Sequence, residues 1–164
     1  MKNKIFALAE ESIKIEQNVS EIYFLFHILF PDDSDFWLKL VLEEESHATL
    51  IKNGIDMFEP INAFPHGILA NNLRMLKETN KKLNSILKQF KDTHPSRELA
   101  FNTALDIELS AGELHFQNFQ NKVHPSSFEN IFQQLNGDDK DHAKRIRSYM
   151  RNNDILFLTE NKAK

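Results

Sequence analysis

The sequence predicts an all-α fold, on three observations. Apolar residues recur with a period near 3.6 over long segments. Glycine and proline number only 4 and 5 in 164 residues, too few for an all-β domain that must turn every 8–12 residues or so. The prolines also stand apart, at Pro31, Pro60 with Pro65, Pro95 and Pro125, and they divide the chain into helix-length pieces.

The first predicted helix covers residues 2–30 and stops at Pro31, because proline offers no amide to continue the ladder. Asp32-Asp33-Ser34-Asp35 then supplies an acidic cap for a second helix over 34–58. The stretch from Glu59 to His66 reads as a loop. A third helix spans 67–91, with Lys77, Lys81, Lys82, Lys88 and Lys91 alongside Asn71, Asn72, Asn80 and Asn84. His94-Pro95-Ser96 and His124-Pro125-Ser126 are turn-plus-cap signals, the latter with a capping box to Glu129. They open a fourth helix over 96–122 and a fifth over 126–152. The tail, 153–164, carries one apolar patch, Ile155-Leu156-Phe157-Leu158.

A helix of about 25 residues is about 37 Å long, the length of a bundle. The third helix, the most polar of the five, can therefore carry the chain from one end of a bundle to the other. The result is a four-helix bundle of two helix hairpins, with a long helical crossover between the second and third bundle helices. The alternative is a five-helix up-down array with the third helix in the core. The run Ile22 to Phe30 is apolar on all sides and needs cover from the crossover, the tail or a second subunit.

Composition narrows the function. The formal charge of −4 and the pI near 6.0 leave no electrostatic footprint for nucleic acid or an anionic membrane. No apolar stretch approaches the roughly 20 residues that span a bilayer. The first residues carry no secretory signal pattern, which places the chain in the cytoplasm as an expectation. Cysteine is absent, so a bound metal must sit on His, Asp and Glu.

The two hairpins repeat each other. A shift of 92 lays the first helix on the fourth, with Ile15-Glu16 on Ile107-Glu108 and Tyr23 on His115. A shift of 95 lays the second on the fifth, with Trp37 on Phe132, Glu43-Glu44 on Asp138-Asp139 and His47-Ala48 on His142-Ala143. Each hairpin thus has one mid-helix glutamate, Glu16 or Glu108, inside an apolar stripe. Each also has an acid three residues before a histidine, Glu44 with His47 and Asp139 with His142. Residues at i and i+3 share a helix face, so acid and imidazole reach the same point. An unpaired carboxylate inside an apolar stripe costs several kcal/mol. A pair of divalent ions relieves four of them together. Oxygen ligands with imidazole and no thiolate suit iron or manganese. The competing reading takes Glu43-Glu44-Glu45 and Asp138-Asp139-Lys140-Asp141 as solvated acidic faces.

At these residues the chain resembles the ferritin-like di-iron carboxylate superfamily, in its bacterioferritin and rubrerythrin branch. The resemblance covers roughly residues 1–58 and 96–152 and implies a ferritin-like bundle holding two iron ions, or manganese or a mixed pair. It implies Glu16 and Glu108 as terminal ligands, Glu44 and Asp139 as bridges, and His47 and His142 as one ligand each. Tyr23 matches a tyrosine beside the site in bacterioferritin-like members and is the one residue besides the ligands with an implied catalytic part. Three departures stand out. Asp139 replaces a glutamate, Ala111 stands where rubrerythrins carry a further glutamate, and no rubredoxin cysteines exist. The implied function is oxidation–reduction of iron(II) with peroxide or dioxygen, as a rubrerythrin-like peroxidase or a ferroxidase. A peroxidase of this kind needs an external electron donor protein. A homodimer or larger homo-oligomer is expected. The alternatives are an iron-storage cage subunit and a non-catalytic helical scaffold with a relic metal site. His115, at the repeat position of Tyr23, is a further candidate beside the site, and His27 reads as structural.

Overall fold

The computed structural model of the chain describes residues 2–58, 72–115 and 141–158, with the backbone alone at 2–4, 58 and 111–115. Among these residues all regular structure is helical: α1 (Lys2–Leu29), a 3-10 turn (Pro31–Asp33), α2 (Ser34–Phe58), α3 (Leu73–Asp92), α4 (Arg97–His115) and α5, described over 141–152. The expected loop at 59–66, the helical residues expected at 67–71, 116–122 and 126–140, and the tail from 159 lie outside the described residues. Asp139, Phe132 and the Ser126–Glu129 capping box lie there as well.

Local chemistry sets the helix ends. Proline at position 31 ends α1 at Leu29, one residue before the expected Phe30, and the chain turns through a single 3-10 turn. The Asp33 amide donates to the Phe30 carbonyl at 3.0 Å. Asp33 was expected to cap α2, but its side chain is buried and turned elsewhere. The start of the third helix also differs from the expected position 67. Asn72 is non-helical and caps α3, its side chain accepting from the Met75 amide at 3.1 Å. Ser96 caps α4 in the same way, through the Leu99 amide. At the end of α5, Asp154 takes a left-handed conformation (φ 54°), and the Ile155 amide donates back to the Met150 carbonyl. Ile155 is thereby folded into the core, and the tail continues along α4. Asn102 accepts from the Leu158 amide and donates to the Leu156 carbonyl, as a neighbouring strand would.

Pairwise contacts fix the helix directions. α1 and α2 are antiparallel, with Tyr23 against Trp37 near their junction and Glu16 near His47 farther along. α2 and α4 run the same way, since Phe36 and Trp37 meet Phe101 while Glu44 and Glu108 both approach His142. α5 runs against both, placing Tyr149 on Phe36 and Phe101. α3 lies along α1 in the same direction, with Asn80 at Glu11 and Phe90 at Phe26.

α3 shows why a lysine-rich helix stays in place. Leu76, Leu83, Leu87 and Phe90 are buried on one stripe, and the lysines face out. Asn80, counted with the polar face in the sequence, is buried on the apolar stripe instead. Its amide donates to the Glu11 carbonyl and carboxylate and its oxygen accepts from Asn18 at 2.8 Å. A buried amide satisfied this way fixes the register of α3 on α1. Among the described residues the cover expected over Ile22 to Phe30 is partial. Phe26 packs on Phe90, but Phe24 and Ile28 remain exposed.

Candidate metal centre

Glu16 lies on the inner stripe of α1, between Ile15 and Val19, both in the core. Glu108 lies beside Ile107 on α4, and Glu44 and His47 share the inner face of α2 one turn apart. His142 comes from α5, next to the buried Ala143. All five side chains are buried.

They converge. Ligand atoms of Glu16, Glu44 and His47 lie within 4.8 Å of one another, as do those of Glu44, Glu108 and His142. Glu44 belongs to both groups and divides its oxygens between them. Oε2 is 3.4 Å from His47 Nδ1, and Oε1 is 2.9 Å from His142 Nδ1. Glu16 Oε2 is 3.7 Å from His47 Nδ1, and Glu108 Oε2 is 3.5 Å from His142 Nδ1. The two imidazoles face each other at 5.5 Å, 12° from parallel. Tyr23, fully buried against Trp37, donates its hydroxyl to Glu108 Oε1, leaving Oε2 to face His142.

Electrostatics follow from the crowding. Burial disfavours a charged imidazole at His47, but the carboxylates of Glu16 and Glu44 outweigh it and raise its pKa to about 11. At His142 burial is likewise outweighed, by Glu108 and Glu44, and the pKa rises to about 10. Burial disfavours the Glu44 carboxylate too, yet contacts to His142 and His47 hold its pKa below the ordinary range. Two imidazolium ions thus supply the positive charge that the buried carboxylates require.

The donor set fits hard or borderline divalent ions. It offers carboxylate oxygen and imidazole nitrogen, no sulfur, and a carboxylate with one oxygen toward each of two groups. The structure brings together Glu16, Glu44, His47, Glu108 and His142 from the expected set, whereas Asp139 and the side chain of His115 lie outside the described residues. His27 bonds Ser34 Oγ at 2.8 Å, between the end of α1 and the start of α2.

Sequence reasoning missed two neighbours, Glu43 and Arg145. Glu43 stands 3.2 Å from His142 Nε2 and is held by both terminal nitrogens of Arg145. The acidic string 43–45 resolves into three environments: Glu43 half-buried, Glu44 buried and Glu45 exposed. The signal was present in the repeat, which aligns a double acid on a double acid.

Comparison with known proteins finds no matching family model, no matching curated protein and no matching solved structure. Among the described residues no helix is long and apolar enough to cross a membrane.

Proposed function

We propose that this chain is a ferritin-like non-haem di-iron protein that reacts iron(II) with peroxide or dioxygen. In this reading α1, α2, α4 and α5 form the four-helix bundle, and α3 is the crossover that returns the chain between the parallel helices α2 and α4. The observation that carries it is the division of Glu44, one oxygen toward Glu16 and His47's group and the other toward that of Glu108 and His142. A bridging carboxylate between two ions has that arrangement. Solvated acidic faces do not bury their carboxylates against two parallel imidazoles.

Glu16 with His47 would hold one ion, and Glu108 with His142 the other. Glu44 would bridge them, with Asp139 as the second bridge by its place in the repeat. Bound iron would supply one-electron chemistry toward the oxidant. The chain's own part is to fix the donors, exclude bulk water and orient Glu108 through the Tyr23 hydroxyl. Both histidines must lose a proton to bind, since a ligand imidazole is neutral. Asp139 is one methylene shorter than glutamate, so Glu44 carries more of the bridging. Glu44→Ala is expected to lose more affinity than Asp139→Ala.

Anaerobic titration with iron(II), followed by addition of peroxide or dioxygen, tests the reading. Two ions per chain and oxidation that saturates at that ratio are expected. Uptake far beyond two per chain would mark iron storage instead. Absence of tight binding would leave a helical scaffold and refute the di-iron assignment.

A further inference from the structure

We propose that the cleft between α2 and α5 is a binding site for a small organic anion, a carboxylate carried on a flat aromatic body. The proposal goes beyond the metal reading and uses none of the residues that carry it.

The cleft has a volume of about 330 Å³, at the lower end of the range for small-molecule sites. Its floor is apolar, formed by Phe36 and Leu40 of α2 and by Tyr149 of α5. That floor is held in place. The Tyr149 ring stacks on Phe36 at 4.1 Å and lies 6° from parallel to Phe101, and its hydroxyl donates to Asp33 at 2.9 Å. The polar end of the tyrosine is satisfied there, so what it offers the cleft is ring surface. A flat apolar body covers such a floor and releases water that no polar group holds.

The rim is cationic. Lys39 of α2 and Lys144 of α5 line the cleft from its two walls. Neither makes an ion pair among the described residues, and Lys39 reaches Glu43 only as a more distant charge. Arg145 also lines the cleft, but its charge is taken: both terminal nitrogens contact Glu43, and Nε lies 3.1 Å from Asp141. The two lysines are left to receive an anion, as flexible point charges that close over a carboxylate without demanding a bidentate fit. Asp141 at the same cleft opposes a second negative charge, which favours a monoanion.

The wider field has the same sign. Residues 141–152 of α5 also expose Arg147 and Arg151, so basic residues outnumber the lone acid Asp141 there, in a chain of net charge −4. The larger cleft, about 630 Å³ between α1 and α2, is edged by Glu21, Glu45 and Lys52 and has no aromatic ring in its lining. It offers an anion with an aromatic body neither the charge nor the floor.

Titration of the full chain with 2-naphthoate, followed by calorimetry and 1H–15N NMR, tests the proposal. One molecule per chain is expected, with the largest amide shifts at residues 36–40 and 144–152. 2-Naphthalenemethanol has the body without the charge, and inorganic phosphate has the charge without the body. Each should bind about tenfold more weakly. Lys39→Gln combined with Lys144→Gln should weaken 2-naphthoate by about tenfold, whereas the pair Lys39→Arg and Lys144→Arg should keep it. Ser148→Trp, on the exposed side of α5 at the edge of the cleft, should fill it and abolish binding without lowering Tm. The proposal is overturned by 2-naphthoate that binds no better than the alcohol, ignores the Lys→Gln pair or shifts the α1–α2 cleft instead. Phosphate bound as tightly as 2-naphthoate would also overturn it, leaving a site for inorganic anions alone.

Discussion

Among the described residues two clusters bury carboxylates, and they balance the charge in opposite ways. At Asp33 the carboxylate receives Arg97 at both oxygens, at 2.7 Å each, and the Tyr149 hydroxyl at 2.9 Å. Arg97 reaches on to the Asn153 carbonyl and lies over the Phe101 ring. The turn after α1, the start of α4 and the end of α5 are thus tied by one acid and a cation that stays charged at any accessible pH. At the other cluster, Glu44 and Glu108 are faced by His47 and His142, whose charge is a removable proton. A permanent partner makes the first cluster structural. A removable one leaves the second able to exchange protons for other cations.

Glu44→Ala tests this difference hardest. Glu44 is common to both groups of donors, so its removal should abolish binding of both ions, whereas Glu16→Ala and Glu108→Ala should each spare one. Calorimetric titration of the three variants measures this, and a Glu44→Ala protein with one intact site would break the bridging assignment.

Acidity sharpens the comparison next. His47 and His142 titrate near 11 and 10, well above the ordinary 6.5. Their contribution to the metal-free fold is therefore complete below about 6.5 and is lost as pH rises through 10–11. The lowered pKa of Glu44 acts in the other direction, with its contribution lost as pH falls through the acid range. Uptake of each ion would displace one imidazolium proton, so the apparent affinity for each should rise about tenfold per pH unit below that window, and the product for both about 100-fold. Iron(II) or cobalt(II) titrations at two pH values check it. A slope of zero would show that no proton leaves.

Arg97→Met gives the smallest of the three effects. Arg97 is about one-third exposed while Asp33 is buried, so solvent screening reduces the full cost of breaking a buried pair. A loss of about 2–3 kcal/mol is expected, or roughly 5–10 °C in Tm for a chain of this size. Metal affinity should stay as it was. A matching loss of affinity would show that the two clusters are coupled.

The carboxylate–imidazole cluster was more legible in the sequence than the clasp, for a physical reason. Glu16, Glu108, Glu44, His47 and His142 stand at repeat-related positions on helices, where spacing translates into facing. Asp33 sits in a turn, and a turn acid before a helix reads as a cap. Nothing local announces that its partners come 64 and 116 positions later. Asn80 misled in a similar way: asparagine among lysines reads as solvated, and only packing on α1 shows it to be buried. Glu43 was hidden by its neighbours: the repeat singles out the pair Glu43-Glu44, but nothing in it says that an arginine of α5 meets the first of the two.

The Asp33 clasp lies about 16 Å along α2 from Glu44, by the rise of an α-helix. Backbone amides around it, at the start of α4 and the end of α5, are pinned by contacts to a cation that keeps its charge. The opposite halves of those helices depend on the imidazolium charges when no ion is bound. Hydrogen exchange in the metal-free chain should therefore run as a gradient over the described residues, slowest at the clasp and faster around Glu108 and His142.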